Sequence, residues 1–265
     1  MIYLNENVQN KIDKLKYEDL YIVADFDRTI TLGSSTSSWS ILSQSNLVPK
    51  EYVTERQSQF DYYRPIELDN NLDEETKSNY MSDWWVKHIS LFVKYQMSED
   101  VINNAAKDLR VMAFREGAHA FLSKMHLLNI PVIIISAGVG NFIEQFLIKN
   151  DCHFDNIHVI SNFIEFEKGI ASGVSKNIIH SLNKNEVSLP VYIANKIATR
   201  NKILLFGDQL SDIKMVSPDK RDNTIRIGFL EEMVDEQLEY FKDEFDLVCT
   251  NNTTFDEISK ILNFK

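Results

Sequence analysis

Cysteine is nearly missing from this chain, with Cys152 and Cys249 the two in 265 residues. They show no metal-ligand spacing and make no disulfide framework, so both are expected as buried, inert thiols in a reducing compartment. Positive charge is also scarce: Lys and Arg number 28 against 39 Asp and Glu, a formal net charge of −11. That balance leaves no basic footprint for nucleic acid or an anionic membrane, and an anionic substrate would have to be drawn in by a local cation. Long apolar runs are lacking too. The longest, Ile130 to Ile135, is far too short to span a bilayer. The opening Met-Ile-Tyr-Leu-Asn-Glu-Asn holds no basic region leading into an apolar stretch, so no secretory leader is read and a cytoplasmic chain is expected. Internal repeats and low-complexity segments are not apparent.

What is present is ordinary for a globular protein: 44% hydrophobic and 25% charged residues. The length allows one large domain and a smaller one. A short polar helix over 6–19 leads into an apolar strand at 20–25. Strand signals then vanish. A polar run, Gly33-Ser-Ser-Thr-Ser-Ser38, is followed by helical patterns at 39–45, 49–62, 73–96 and 98–110. Tyr80, Trp84, His88, Leu91 and Tyr95 share one face of the third. From Phe114 a strand–helix alternation takes over. Strands are expected at 131–136, 157–161, 202–206, 224–227 and 246–249, helices at 116–129, after Gly140 through 150, at 186–200, 230–241 and 255–263, and a hairpin around Lys168-Gly169. Thr254 and Glu257 form a capping box for the last helix. The fold class predicted is α/β: a three-layer, Rossmann-like parallel sheet with an all-helical domain inserted after the first strand. Residues 1–32 and 113–265 make the core, and 33–112 the helical insertion.

Three strands end in polar groups. Tyr21-Ile-Val-Ala-Asp25-Phe-Asp27-Arg-Thr-Ile-Thr31 runs from apolar residues straight into two acids; Pro131-Val-Ile-Ile-Ile runs into Ser136; Lys202-Ile-Leu-Leu-Phe206 runs into Gly-Asp208-Gln-Leu-Ser-Asp212. In a parallel sheet all three endings lie on one edge, where ligands bind. Asp-x-Asp alone is better read as a strand entering an acidic turn. Three such endings, with a candidate lysine, outweigh that reading. Carboxylates this close must share a cation or a proton, and Mg²⁺ with an anionic substrate on its far side meets the need. A carboxylate can attack phosphorus, a second acid two residues on can move the protons, and a hydroxyl with nearby N–H groups can hold the phosphoryl oxygens.

Asp-Phe-Asp-Arg-Thr, Ser136, Lys184 and Gly-Asp-x-x-x-Asp, in this order, resemble the four motifs of the haloacid dehalogenase superfamily of phosphohydrolases. Arg115-Glu-Gly-Ala, Ser136-Ala-Gly, Ser161-Asn-Phe, Ile179-His180 with Asn183-Lys184, and Ile227-Gly-Phe-Leu more narrowly resemble the cytosolic pyrimidine 5′-nucleotidase family. The resemblance implies that Asp25 is nucleophile and Mg²⁺ ligand, and that Asp27 is acid/base and binds the metal through its backbone carbonyl. It further implies that Ser136 and Ala137 hold phosphate, that Lys184 neutralises nucleophile and phosphate, and that Asp208 ligates Mg²⁺ with Asp212 in support. In the helical insertion, or cap, Tyr62-Tyr-Arg-Pro-Ile-Glu67-Leu-Asp69 resembles the segment whose acid contacts the base, making Glu67 the candidate. Trp84-Trp85 fall where that family has cap aromatics. Two departures stand out. Gln209 and Ser211 replace Ser and Gly in the fourth motif, and His88, carried here as a substrate-pocket candidate, stands in place of a serine.

The resemblance implies a Mg²⁺-dependent phosphomonoesterase acting on nucleoside 5′-monophosphates, pyrimidine ones foremost, as a monomer or weak dimer with no nucleic-acid or membrane partner. Phosphoserine or a sugar phosphate is the alternative substrate. A receiver-type phospho-switch is the non-enzymatic alternative, disfavoured because Asp27 is placed to hydrolyse the aspartyl-phosphate that such a switch must preserve. Thr29 is expected to shape the turn, and His180 to orient the loop bearing Lys184.

Overall fold

A computed structural model describes residues 1–69, 71–106, 112–174, 178–184 and 189–264. Its strands are β1 (Ile2–Leu4), β2 (Leu20–Ala24), β3 (Val132–Val139), β4 (Ile157–Asn162), β5 (Ile164–Glu167), β6 (Ile170–Val174), β7 (Lys202–Gly207), β8 (Thr224–Phe229) and β9 (Leu247–Cys249). Seven of them form one sheet in the order β1-β9-β8-β7-β2-β3-β4. Every pairing in it is parallel except β1 with β9. The prediction of a wholly parallel sheet opening at residue 20 is therefore corrected at one edge. Ile2–Leu4 is too short and too exposed to announce a strand by pattern, and it forms only because Leu247–Cys249 offers a free edge.

β2 is central, pairing with β3 on one side and β7 on the other. The chain runs outward from β2 through β3 to β4, then crosses back to β7 and runs outward through β8 to β9. The reversal of direction opens a crevice at the carboxyl end of β2, the place where open α/β sheets bind ligands.

The helices are α1 (Val8–Ile12), α2 (Ile41–Gln44), α3 (Lys50–Leu68), α4 (Glu74–Lys94), α5 (Glu99–Ala105), α6 (Ala118–Leu127), α7 (Gly140–Lys149), α8 (Val191–Ile197), α9 (Val234–Glu244) and α10 (Phe255–Ile261). The three layers follow from the two-residue period of the strands. Leu20, Ile22 and Ala24 of β2 join one apolar cluster with α1, α6, α7 and α10, while Tyr21 and Val23 join a second with α8 and α9. Strands apolar at every position are what a sheet covered on both faces requires, and each fully buried Ile, Leu or Phe contributes about 1.5–3 kcal/mol. The predicted ends of helices 98–110 and 186–200 fall partly outside the described residues.

Helices α2 to α5 lie in sequence between β2 and β3, and α3 packs along α4. Helix α3 continues beyond the predicted residue 62, through Pro65 to Leu68. The insertion is not walled by helices alone. Hairpin β5–β6 turns at Lys168-Gly169, both with positive φ, and packs on α4. Glu99 donates to the Gly169 carbonyl and Ala171 to the Met97 carbonyl, at 3.0 and 2.9 Å.

Candidate active site

Asp25 ends β2, its N–H still bonded to the Phe206 carbonyl at 2.9 Å. The chain then coils tightly over Phe26–Ile30, with Arg28 in the left-handed region at φ 61°. Arg115, 1% exposed, fixes this coil. Its Nη2 donates to the Arg28 carbonyl at 2.6 Å and its Nε to the Thr29 carbonyl at 3.0 Å, while Nη1 pairs with Glu231 at 2.7 Å. The hydroxyl closing the turn belongs to Thr31, which accepts from the Arg28 N–H at 2.8 Å. The Thr29 hydroxyl is buried with no partner among the described residues, so the role expected of Thr29 passes to Thr31.

Four strand-end or loop groups meet beside this coil. Lys184, 6% exposed, donates to Asp25 Oδ1 and, at 2.9 Å, to Asp212 Oδ1. Asp212 turns its other oxygen back onto the N–H groups of Asp208 and Gln209, both at 3.0 Å. Gly207 permits that return: a Cβ there would lie 2.4 Å from Asp212 Cβ. Carboxylate oxygens of Asp25, Asp208 and Asp212 lie within 4.8 Å of one another. Burial, then the neighbouring carboxylates, raise Asp25 from 3.8 to about 7 against the pull of Lys184. The same causes, burial first, raise Asp208 well above its ordinary value. Burial opposes the charge on Lys184, but Asp212 and Asp25 more than offset it and hold the ammonium protonated. A single ammonium against three carboxylates leaves negative charge that a hard divalent cation would neutralise, and an all-oxygen donor set suits Mg²⁺. The residues present fit such an ion.

Asp27 takes a different partner. Ser38 donates to both its oxygens, from N–H to Oδ1 at 2.8 Å and from Oγ to Oδ2 at 2.7 Å. Burial raises the Asp27 pKa, with the Ser38 contacts opposing. Ser136 lies inside β3, whose register shifts between Ile135 and Val139. The shift frees this stretch from the regular ladder; the Ser136 hydroxyl accepts from the Gly138 N–H at 3.0 Å. Ser136, Ala137 and Gly138 line the cavity that also holds Asp25, Asp27, Lys184 and Asp208.

That cavity measures about 450 Å³ and is walled on its far side by Trp39, Phe60, Trp84 and Trp85. Glu67 lines it too, paired with Arg64 and accepting from the Ser181 hydroxyl at 2.8 Å. The loop carrying Lys184 is thereby tied to α3, and His180 ties it to α4 through Ser78 Oγ at 3.3 Å. His180 Nδ1 also accepts from the Leu182 N–H at 3.2 Å, so the ring orients this loop. Burial, foremost, lowers His180 to about 4 and keeps it neutral. His88 does not reach the cavity wall. It is 0% exposed and stacks at 3.8 Å on Trp39, which stands at the wall.

Two residues at this site escaped the sequence reading. Ser38 was hidden in what reads as a linker, although a run of hydroxyls directly after two acids was the available signal. Arg56 reads as an ordinary solvated helix arginine, yet it is buried and lines the cavity; nothing in the local pattern marks it.

The solved structure of cytosolic 5′-nucleotidase IIIB bound to cytidine superposes with a TM-score of 0.90 at 28% identity, over 99% of this chain and 92% of that one. Phosphoserine phosphatase in its apo form shares the fold, with a TM-score of 0.57 at 17% identity over 91% of this chain and 98% of that one. In sequence, 7-methylguanosine phosphate-specific 5′-nucleotidase A of Xenopus laevis is 31% identical over 98% of this chain and 93% of its own length. Residues 28–264 match the model of the pyrimidine 5′-nucleotidase (UMPH-1) family, and to that family this chain belongs.

Proposed function

We propose that this chain is a Mg²⁺-dependent phosphomonoesterase that hydrolyses nucleoside 5′-monophosphates, pyrimidine ones foremost, through an aspartyl-phosphate on Asp25. The observation that carries the reading is the division of labour between the two acids of one coil. Asp25 is bound by the buried Lys184, while Asp27 is bound by Ser38, and both open onto one cavity. The relatives support the substrate class, being named for nucleotides or bound to a nucleoside. About 450 Å³ suits a mononucleotide.

Asp25 and Asp208, with the Asp27 backbone carbonyl, would hold the Mg²⁺, with Asp212 in support. When bound, the ion lowers the repulsion between an anionic nucleophile and an anionic phosphate. Asp25 attacks phosphorus, and the bond from phosphorus to the ribose 5′-oxygen breaks as Asp27 gives that oxygen its proton. Water then attacks the acyl phosphate, Asp27 takes a proton from it, and Asp25 is restored. The Ser136 hydroxyl and the N–H groups that follow it hold the phosphoryl oxygens. Lys184 keeps one Asp25 oxygen in place and offsets its charge.

Residues 33–112 serve as the cap. Their aromatic side chains and Glu67 receive the nucleoside, and the tie between Ser38 and Asp27 links cap and chemistry in one step of the chain. Phosphate release from a panel of nucleotides, phosphoserine and sugar phosphates tests the reading. Turnover is expected with nucleoside 5′-monophosphates and Mg²⁺; failure on every nucleotide would overturn it.

A further inference from the structure

One cation of the cavity wall, Arg56, makes no ion pair among the described residues, although Asp61 acts on it at longer range. Among the described residues Arg64 pairs with Glu67, Lys184 with Asp25 and Asp212, and Arg28 with Glu232. Arg56, 8% exposed, has no ion-pair partner among them. Its Nη2 donates to Ser40 Oγ, its Nη1 reaches only Gln57 Oε1 at 3.5 Å, and its Nε finds no acceptor. A buried guanidinium with spare donors is costly unless something supplies acceptors. Phe60 lies beneath it, with 5.2 Å from Cζ to the ring centroid, and Trp84 stands 6.0 Å from Phe60. Planar aromatic faces beside a guanidinium whose terminal nitrogens each keep an N–H to spare suit a flat heterocycle with carbonyl or ring-nitrogen acceptors on its edge.

Asp27 and Arg56 are anchored by residues two apart in the chain. Ser38 grips Asp27 and Ser40 grips Arg56, so at most about 7 Å of backbone separates the two anchoring residues. A phosphate at Asp25 and Asp27 would put the base toward Arg56.

We propose that Arg56 sets base specificity: it donates to an acceptor of an uncharged base and repels a base carrying a fixed positive charge. The inference rests on the reading of the chain as a 5′-nucleotidase and narrows its substrate. Cytosine and uracil offer their 2-carbonyl oxygen, and guanine offers O6 with N7, a pair of acceptors to which an arginine fork donates. Alkylation at N7 removes one acceptor and makes the ring cationic, which sets two positive charges together in a buried place.

The test compares kcat/KM for CMP, GMP and 7-methyl-GMP in wild type, Arg56→Met and Arg56→Lys. Wild type is expected to favour CMP and GMP over 7-methyl-GMP by at least about 10-fold. Arg56→Met should reduce that ratio at least about 10-fold. Arg56→Lys keeps the charge and should keep the bias against the cationic base while losing turnover on GMP through KM. Quenching of tryptophan fluorescence by cytidine, guanosine and 7-methylguanosine reads the same preference without catalysis. An unchanged ratio in Arg56→Met, or a wild-type preference for 7-methylguanosine in both assays, overturns the proposal. Nucleosides binding with the Arg56-dependent order while no nucleotide is hydrolysed would uphold Arg56 and overturn the nucleotidase reading instead.

Discussion

Ser38 holds both carboxylate oxygens of Asp27, by its N–H at 2.8 Å and its hydroxyl at 2.7 Å. This joins the first residues after the catalytic coil to the group proposed to move protons. Removal of the hydroxyl in Ser38→Ala is expected to lower kcat by about 10- to 100-fold, at the low end for a misplaced acid/base. KM should stay within about threefold. Gly138→Ala should act in the same way, because a Cβ there would lie 1.8 Å from Ser38 Oγ. Steady-state kinetics decide it, and a wild-type kcat in Ser38→Ala would refute the role.

Asp25→Asn should abolish turnover, by on the order of 10⁴-fold or more, in a protein that still folds. Metal-free stability supplies a second readout. The Asp25 carboxyl is raised from 3.8 to about 7 in the folded chain, so the folded state holds a proton that the unfolded state has released. Its contribution is full below the unfolded value and is lost as pH rises to about 7. In a chelator, wild-type Tm relative to Asp25→Asn should therefore fall between pH 4 and 7 and level off above it. Added Mg²⁺ should raise wild-type Tm at pH 8 and do so less in Asp208→Asn. Full activity after chelation would overturn the mechanism.

His88 predicts the opposite slope. Burial, with Arg56 adding repulsion, lowers its ring from 6.5 to about 3, and neither nitrogen has a partner among the described residues. Below pH 6.5 the unfolded chain gains a proton that the folded chain refuses, so stability falls by up to about 1.4 kcal/mol per pH unit until pH nears 3. His88→Phe, which preserves the stack on Trp39, should flatten this acid limb and leave stability above pH 7 within about 1 kcal/mol. Denaturant melts at pH 5 and 8 measure the difference, and parallel losses in both proteins would refute it.

Arg115 is the structural counterpart. Its guanidinium binds the carbonyls of Arg28, Thr29 and Thr253, and Glu231. Arg115→Met removes the charge partner of a largely buried carboxylate and the donor to three carbonyls, at an expected cost of about 3–5 kcal/mol. Urea unfolding reads this directly; a loss under about 1 kcal/mol would show that the coil holds itself.

The strands and helices of the three-layer core follow from runs such as Ile133-Ile-Ile135 and from the spacing of Phe142, Phe146 and Leu147, because burial on two faces leaves a local hydrophobic record. The edge strand Ile2–Leu4 left none, since three residues on an open edge carry little pattern. Asp25, Asp27, Ser136, Asp208 and Asp212 were readable as strand endings that one parallel sheet must gather on one edge. Which acid takes which partner was not. Lys184 chooses Asp25 and Asp212, and Ser38 takes Asp27, through contacts between segments far apart in the chain or separated by the coil. Glu67, His88 and Arg56 occupy similar helical positions in the sequence. Only packing separates them: Glu67 is paired with Arg64 at the cavity wall, His88 is sealed behind Trp39, and Arg56 is left with its Nε unpartnered. Periodicity records whether a residue is buried, but the identity of its neighbours, and hence its charge and hydrogen-bond balance, exists only once the elements have packed.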